Sequence, residues 1–149
     1  MRPLLALALA AAILIGGAHP AAALAVVPFA ADSGDSCQRG RTQGSLEWVE
    51  GPVVRPTVKV AGTLTDDGPA STCAPDGMHS RVSFIAFNGS AIVDSEQAKA
   101  DDASVAFTLI LQDQNGVRAI DRVVVQICRY SNSPIGISYC GPAKEYRTP

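Results

Sequence analysis

The segment SVAFTLILQDQNGVRAIDRVVVQICR, from Ser104 to Arg129, decides the fold class of this 149-residue chain. Apolar side chains occupy every second position in each half of the segment: Val105, Phe107, Leu109 and Leu111, then Val123, Val125 and Ile127. Because successive side chains point to opposite faces of a β-strand, each half predicts a strand with one apolar face on a core. The segment therefore predicts two long strands and an all-β protein.

The DQNG tetrapeptide between these strands predicts that they form a hairpin. Asp at the first position of a type I turn and Gly at the fourth suit a three-residue loop, in which Gly116 takes a positive φ. That register sets Phe107 opposite Val123, whereas a two-residue loop would set apolar side chains opposite polar ones. A bulge within residues 119–122 is expected to return Ile120 to the core.

Further strands are predicted by alternation or by short apolar runs between turn residues: Ser45–Val49, Thr57–Thr65, Ser80–Phe87, Ala91–Asp94 and Ile135–Cys140. The segment SEQAKADD, residues 95–102, has a helix-like composition without an apolar stripe and predicts a loop or a single helical turn. About seven short strands, with turns roughly every 8–12 residues, indicate an antiparallel β-sandwich. An immunoglobulin-like Greek key is preferred over a closed barrel.

The first 25 residues have the pattern of a secretory signal peptide. Arg2 supplies a short positive region, Leu4–Ile15 is apolar, and the small residues that follow place cleavage after Ala23 or Ala25. The apolar run is too short to span a bilayer, which needs about 20 apolar residues. The protein is therefore expected to be secreted and extracellular, with no membrane span in its mature part.

The remaining residues predict one domain. Residues 26–36 are rich in Ala, Ser and Asp and are expected to form a flexible N-terminal arm. Residues 37–141 are expected to form the single β-sandwich domain, and residues 142–149 a polar C-terminal tail. The net charge is −2 and no basic run occurs in the sequence, which disfavours nucleic acid as a partner.

Four cysteines, an even number in a chain predicted to be exported, indicate two disulfides. Of the three possible pairings, Cys37–Cys73 and Cys128–Cys140 are favoured because each closes a loop that is local in sequence. Closing the shorter loop corresponds to about 3 kcal/mol of unfolded-state entropy. The cysteines have no C-x-x-C spacing, so no metal site is predicted.

The sequence favours a protein without catalytic activity and without a cofactor. His79 is the one histidine after the predicted signal peptide, and Ser80 beside it belongs to no nucleophile motif, so a surface-loop histidine is the preferred interpretation. Asp113 and Asn115 could donate oxygens to calcium, but turn chemistry already explains both residues. Asn88 begins an N-G-S glycosylation sequon, which is equally the signal of a tight hairpin turn.

The loop at residues 129–139, RYSNSPIGISY, would be closed at its base by the second predicted disulfide. Its candidate binding residues are Arg129, Tyr130 and Tyr139. A disulfide-held convex loop is pre-organised, which lowers the entropy cost of binding. One hypothesis is therefore a secreted protease inhibitor whose Arg129 or Tyr130 fills a specificity pocket. The preferred hypothesis is a secreted, non-enzymatic module that binds or scaffolds an extracellular protein or glycan.

Two short phrases, VKVAG at Val58–Gly62 and QNG at Gln114–Gly116, resemble pieces of small secreted immunoglobulin-like bacterial proteins. These proteins include the chromoprotein apoproteins that carry enediynes. The resemblance covers a handful of residues, and the cysteine spacings differ from the short disulfide loops of that family. Neither a ligand nor binding residues are therefore inferred from it.

Overall fold

The computed structural model describes residues 23–51, 54–66 and 77–149, which contain nine β-strands. The strands are β1 (Ala23–Asp32), β2 (Gly40–Gly51), β3 (Val54–Asp66), β4 (Met78–Asn88), β5 (Ala91–Ala100), β6 (Ser104–Gln112), β7 (Arg122–Ser131), β8 (Tyr139–Cys140) and β9 (Lys144–Arg147). The described residues include no helix that could cross a membrane. The predicted signal peptide lies outside them, except that its last three residues, 23–25, begin β1.

The strands form two antiparallel sheets. Sheet A has the order β1-β2-β3-β6, and sheet B has the order β5-β4-β7, with β8 and β9 both pairing with β7. Leu46 and Val60 of sheet A share one buried core with Val82 and Val125 of sheet B, so the arrangement is sandwich-like. The all-β, antiparallel prediction is thus confirmed, and within the described residues neither sheet closes into a barrel.

The strand count and order differ from those expected of an immunoglobulin-like sandwich. Nine strands are present in the described residues instead of about seven. In sheet A the third strand in sequence, β3, lies beside β2. An immunoglobulin constant domain instead places strands A, B, E and D in that sheet and sends its third strand to the other sheet.

Strands β6 and β7 do not pair with each other, so the predicted hairpin and its register are wrong. β6 pairs with β3 in sheet A, and β7 pairs with β4 in sheet B. The connection at 113–121 is long enough to cross between sheets that pack about 10 Å apart, and Gly116 does not take a positive φ. Alternation identifies the buried face of a strand but does not identify its neighbour.

The apolar face of the return strand β7 is predicted correctly, because Val123, Val125 and Ile127 are fully buried. Ile120 also reaches the core, although it does so from the connection between the sheets and not from a bulge in a hairpin. Trp48 is buried beside it, and its indole Nε1 donates a 2.9 Å hydrogen bond to the Ile120 carbonyl oxygen. This bond fixes the connection to β2.

Three segments predicted to be irregular form strands. β1 takes up most of the predicted arm, residues 26–36, because it pairs with β2 along its whole length. β5 includes most of residues 95–102, and it packs Ala98 and Ala100 against the core. The predicted tail supplies β9, from which Tyr146 also packs on the core. In β5 and β9 small or isolated apolar side chains carry these contacts, so composition alone did not reveal these two strands.

Two glycines make room for aromatic rings at the centre of the core. Gly44 of β2 lies opposite Gly62 of β3, and the next residues across the sheet are Phe29 and Phe107. The ring of Phe84 from sheet B lies 5.3 Å from that of Phe29 and 5.5 Å from that of Phe107, between centroids. Tilted and edge-to-face pairs of this kind add stability beyond the area they bury. A side chain at Gly44 would meet neighbouring backbone, and one at Gly62 would also meet both phenylalanine rings.

We expect Gly44→Ala to lower the free energy of unfolding by about 1–3 kcal/mol, the usual cost of overpacking a core. The added Cβ would meet the carbonyl oxygen of Ala61 and lie 2.6 Å from Gly62 Cα, so backbone must move. Urea unfolding followed by tryptophan fluorescence measures the change. The matched control is Ser45→Ala on the opposite face of β2, which should stay within about 0.5 kcal/mol of wild type. Equal stability of the two variants would contradict the close approach of β2 and β3.

Candidate functional site

A buried polar cluster connects the two sheets near one end of the sandwich. Arg129 Nη1 of β7 donates hydrogen bonds to Asp66 Oδ1 of β3 and, over 3.0 Å, to Ser80 Oγ of β4. Ser80 Oγ donates to Asp66 Oδ1 over 2.6 Å, and the backbone N–H of Asp102 donates to Asp66 Oδ2 over 3.0 Å. The Arg129 and Asp66 side chains are each 1% exposed. An ion pair between the sheets therefore lies inside the protein.

Sequence reasoning missed this cluster, although the alternation contains the signal for it. Arg129 is in phase with the inward-facing residues of β7, Asp66 with those of β3, and Ser80 with those of β4. Each of the three therefore extends a buried face by one polar position. Oppositely charged residues that continue two such faces predict a buried pair, because a charge is rarely buried without a partner.

The burial of Arg129 corrects its assignment as a contact residue of the 129–139 loop. Its guanidinium is held by Asp66 and Ser80 in the interior, so it cannot fill the pocket of a protease without disrupting the fold. Tyr130, the next residue of β7, points to the outer face of sheet B, because neighbours on a strand alternate. Of these two candidate residues, only Tyr130 lies at the surface.

Tyr130 belongs to a stacked polar and aromatic group on the outer face of sheet B. The imidazole of His79 stacks on the Tyr130 ring with centroids 5.7 Å apart, and the Arg81 guanidinium lies 5.0 Å from the ring centre. His79 Nδ1 is 2.7 Å from Asn132 Oδ1, and Asn132 Nδ2 donates to Asp101 Oδ1 over 3.3 Å. His79 is thus a β4 residue, and its interpretation as a surface-loop histidine is wrong.

The loop beyond this group is closed by the predicted Cys128–Cys140 disulfide, which the structure contains. These two residues lie opposite each other in the ladder of β7 and β8. Of the strand predicted at Ile135–Cys140, only the last two residues pair as β8, and the rest stays in the loop. At the tip, Ile135 is 93% exposed and Ile137 is 83% exposed.

Local contacts give this loop a defined shape. Gly136 N–H donates to the Ser133 carbonyl oxygen over 3.1 Å and closes a turn that contains Pro134. Ser133 N–H donates to Ser131 Oγ over 3.0 Å. The backbone of Gly136 lies so close to the Ser131 side chain that a Cβ at position 136 would clash with it. The tip of the loop is therefore packed on its own base.

Tyr139 ties β8 to the segment between β1 and β2. Its hydroxyl donates to Asp35 Oδ2 over 3.2 Å, while Asp35 Oδ1 accepts the backbone N–H groups of Cys37 and Arg39. Burial opposes ionisation of Asp35, but the hydrogen bonds from Ser33, Arg39, Tyr139 and Cys37 outweigh it and lower the pKa of the carboxyl. The predicted disulfide partner of Cys37, Cys73, lies outside the described residues.

The Asp113–Gly116 segment, weighed as a calcium site, uses its carboxylate inside a turn. Asp113 Oδ1 accepts the N–H of Asn115 over 3.1 Å, and Oδ2 accepts the N–H and the Nε–H of Arg118 over 3.2 and 2.9 Å. The Arg118 side-chain hydrogen bond, with those from the two backbone groups, lowers the pKa of Asp113 to about 2. This carboxylate stabilises the start of the connection between the sheets.

A shallow polar depression of about 250 Å³ lies on sheet A, between β2 and β3. Its lining residues are Arg41, Thr42, Gln43, Thr63 and Thr65. Within the described parts of the chain, no group of three or more His, Cys, Asp and Glu residues is arranged to hold a metal ion. No protein-family model, curated protein or solved structure matches this chain.

Arg129→Met should lower the free energy of unfolding by about 3–5 kcal/mol, because it leaves the Asp66 carboxylate buried without its counter-charge. Combining it with Asp66→Asn should recover part of that loss, since no unpaired charge then remains. Denaturant unfolding of both single variants and the double variant measures the coupling. Tyr130→Phe, on the outer face of the same strand, is the control and should change stability by less than about 0.5 kcal/mol. A similar small effect for Arg129→Met would refute the buried pair.

Asp113 should contribute to acid stability. Its folded-state pKa of about 2 lies below its ordinary value of 3.8, so its contribution is complete above about pH 5 and is lost as the pH falls through 3.8 and then 2. Asp113→Asn should therefore lose less stability than wild type over that interval. Arg118→Met removes the main cause of the lowered Asp113 pKa, so it should also lose less stability than wild type over that interval. Urea midpoints at several pH values test this, and parallel curves for wild type and Asp113→Asn would count against it.

Proposed function

We propose that the chain is a secreted, non-enzymatic binding module that contacts an extracellular protein through the loop at residues 131–138, which we call the stapled loop. The observation that supports this proposal is the exposure of Ile135 and Ile137 at the tip of a disulfide-closed, internally packed loop. Single exposed apolar residues are common on protein surfaces. Here two isoleucines, separated by one glycine, are exposed together on a loop that is held in one shape. This arrangement is more typical of the anchor residues of an interface than of chance exposure.

The energetics favour a protein partner with an apolar pocket. Burying an isoleucine side chain contributes about 1.5–3 kcal/mol, and a pre-organised loop loses little conformational entropy when it binds. The disulfide, the Ser133–Gly136 turn and the Ser131 contact supply that pre-organisation. A glycan would instead require polar groups and an exposed aromatic platform, and the tip of the stapled loop presents aliphatic side chains.

The polar and aromatic group around Tyr130 also supports the proposal that the stapled loop and its base form the contact surface. Tyr and Arg are enriched among the residues that dominate binding energies, and a polar rim commonly surrounds an apolar anchor. Tyr130 lies at the base of the stapled loop, and His79 bonds to Asn132 at its start. In this arrangement Ile135 and Ile137 are the anchors, while Tyr130, His79 and Arg81 form the rim.

A binding role is favoured over catalysis by the directions of His79 and Ser80. Because neighbours on a strand point to opposite faces, the imidazole lies on the outer face while the Ser80 hydroxyl is bonded to Asp66 in the core. A nucleophile and its base must be within hydrogen-bond reach of each other. Secretion is proposed from the signal-like pattern of residues 1–25, and a disulfide is compatible with that location.

A second candidate function is inhibition of a protease by the stapled loop, which is supported by the disulfide at its base and the exposed side chains at its tip. With Arg129 buried, Ile135 is the residue that would enter the specificity pocket. An aliphatic residue at that position suits proteases with a small apolar pocket, such as elastase, and does not suit the acidic pocket of trypsin.

The binding proposal is tested by affinity capture with the oxidised mature protein as bait and culture medium of the source organism as the input. A specific partner should bind wild type and Val117→Asp but not the Ile135→Asp, Ile137→Asp double variant. Val117 is 73% exposed in the connection between the sheets, so it controls for the added charge. For the captured partner, the double variant should weaken affinity by about thirtyfold or more, as expected of an interface hot spot. Equal capture by all three baits would refute the stapled loop as the contact.

The same three proteins distinguish the two candidate functions in assays against elastase-like and trypsin-like serine proteases. Inhibition of an elastase-like enzyme by wild type and Val117→Asp, lost in Ile135→Asp, would assign the loop to protease inhibition. If the captured partner has no protease activity and neither class of protease is inhibited, the result would support the general binding module instead of the inhibitor. If the protein bound only to a glycan-coated matrix, and the loop variants bound it equally well, the proposal of a protein partner would be overturned.

A further inference from the structure

The sequence contains two Asn-Gly dipeptides, Asn88–Gly89 and Asn115–Gly116, in different environments. Asn-Gly is chemically reactive because glycine has no side chain to obstruct attack of its backbone nitrogen on the preceding side-chain amide. The nitrogen loses its proton to hydroxide and forms a bond to Asn Cγ. The bond from Cγ to Nδ2 then breaks, the departing nitrogen takes a proton from water and leaves as ammonia, and a cyclic succinimide remains. Water then opens the ring at either carbonyl, and the product is aspartate or isoaspartate.

The structure holds both reacting groups of Asn88–Gly89. The dipeptide forms the turn between β4 and β5, where Gly89 has a φ of 58°. Its N–H, the nucleophile of the reaction, donates a 2.5 Å hydrogen bond to Asp121 Oδ2. The Asn88 side-chain Nδ2 donates to the Ala119 carbonyl oxygen over 2.9 Å. Both bonds must break before the nitrogen can reach Cγ, and the adjacent carboxylate disfavours the anionic nitrogen.

The corresponding groups of Asn115–Gly116 have no such partners among the described residues. The Asn115 side chain is exposed and makes no hydrogen bond there, and neither does the Gly116 N–H. Only the backbone N–H of Asn115 is held, by Asp113 Oδ1. The other Asp113 oxygen faces Gly116 but is bonded to Arg118, whose positive charge offsets that of the carboxylate. Nothing in this loop prevents the side chain from rotating towards the Gly116 nitrogen.

We propose that Asn115 is a site of spontaneous deamidation in the folded protein and that residues 119–121 protect Asn88 from the same reaction. The product at position 115 carries a new carboxylate two residues from Asp113. An isoaspartate also adds a methylene to the backbone between Asp113 and Arg118, the two ends of the turn. This modification is independent of the stapled loop and of any partner it binds.

The test is prolonged incubation of the folded, oxidised protein at mildly alkaline pH, followed by peptide mass spectrometry of both dipeptides. The deamidation rate of Asn115 should exceed that of Asn88 by a factor of about ten or more. This is the factor expected when two hydrogen bonds must be broken before reaction at Asn88. In urea, where the fold is lost, the two rates should become similar. Equal rates in the folded protein, or slower conversion at Asn115, would overturn the proposal.

A variant separates local protection from sequence effects. Asp121→Ala removes the acceptor of the Gly89 N–H and should raise the rate at Asn88 while leaving the rate at Asn115 unchanged. If this variant does not fold, Arg118→Met provides the second arm, because it changes the Asn115 loop and should leave Asn88 protected. Continued slow conversion of Asn88 in folded Asp121→Ala would refute the role assigned to Asp121.

Discussion

The buried ion pair between Arg129 and Asp66 determines much of the architecture around it. Asp66 ends β3 in sheet A, and Arg129 lies near the end of β7 in sheet B, so the pair connects the sheets from inside. Its desolvation is offset by Ser80 and by the N–H of Asp102 as well as by the mutual attraction of the charges. The main effect of such a pair is to fix how the two sheets are positioned relative to each other, because only one alignment of the strands satisfies both groups. Its contribution to net stability is smaller.

The side chains at the base of the stapled loop alternate about Arg129. Since Arg129 points inward, Cys128 and Tyr130 on either side of it point outward. The disulfide to Cys140 and the stack with His79 therefore form on the outer face of sheet B. Beyond them, the loop tip exposes Ile135 and Ile137. A rigid frame under an exposed apolar tip is a physical basis for specific binding.

Two glycines shape the centre of the core. Gly44 and Gly62 allow two neighbouring strands to lie under a group of phenylalanine rings, and Phe84 from the other sheet closes the group. Ile120 and Trp48 then connect the sheet-crossing segment to this interior. The segment that looked like a hairpin turn thus becomes part of the core boundary, with Asp113 holding its first turn.

The sequence alone determined the class of structure and the buried faces of its clearest strands. Period-2 alternation in β3, β6 and β7 required an apolar core, because a strand exposes opposite faces to opposite environments. The cysteine spacing correctly indicated Cys128–Cys140. For the candidate site, the sequence predicted a disulfide-closed loop at residues 129–139, with Arg129, Tyr130 and Tyr139 as its binding residues. Arg129 is instead buried, as its phase with Ile127 would have predicted.

Only the tertiary structure decided which strands are neighbours, how many there are, and which side chains of the loop are exposed. Pairing of β6 with β3 and of β7 with β4 depends on contacts between residues far apart in sequence, which no local pattern encodes. The strands β1, β5 and β9 form because partners complete their hydrogen bonds. The side chains of β5 and β9 are too small or too polar to predict a strand, whereas the apolar residues of β1 were assigned to the end of a signal peptide and to a flexible arm. The exposure of Ile135 and Ile137 likewise depends on a turn packed against Ser131. Apolar residues in sequence predict burial, and here the disulfide and the short turn leave these two outside the core.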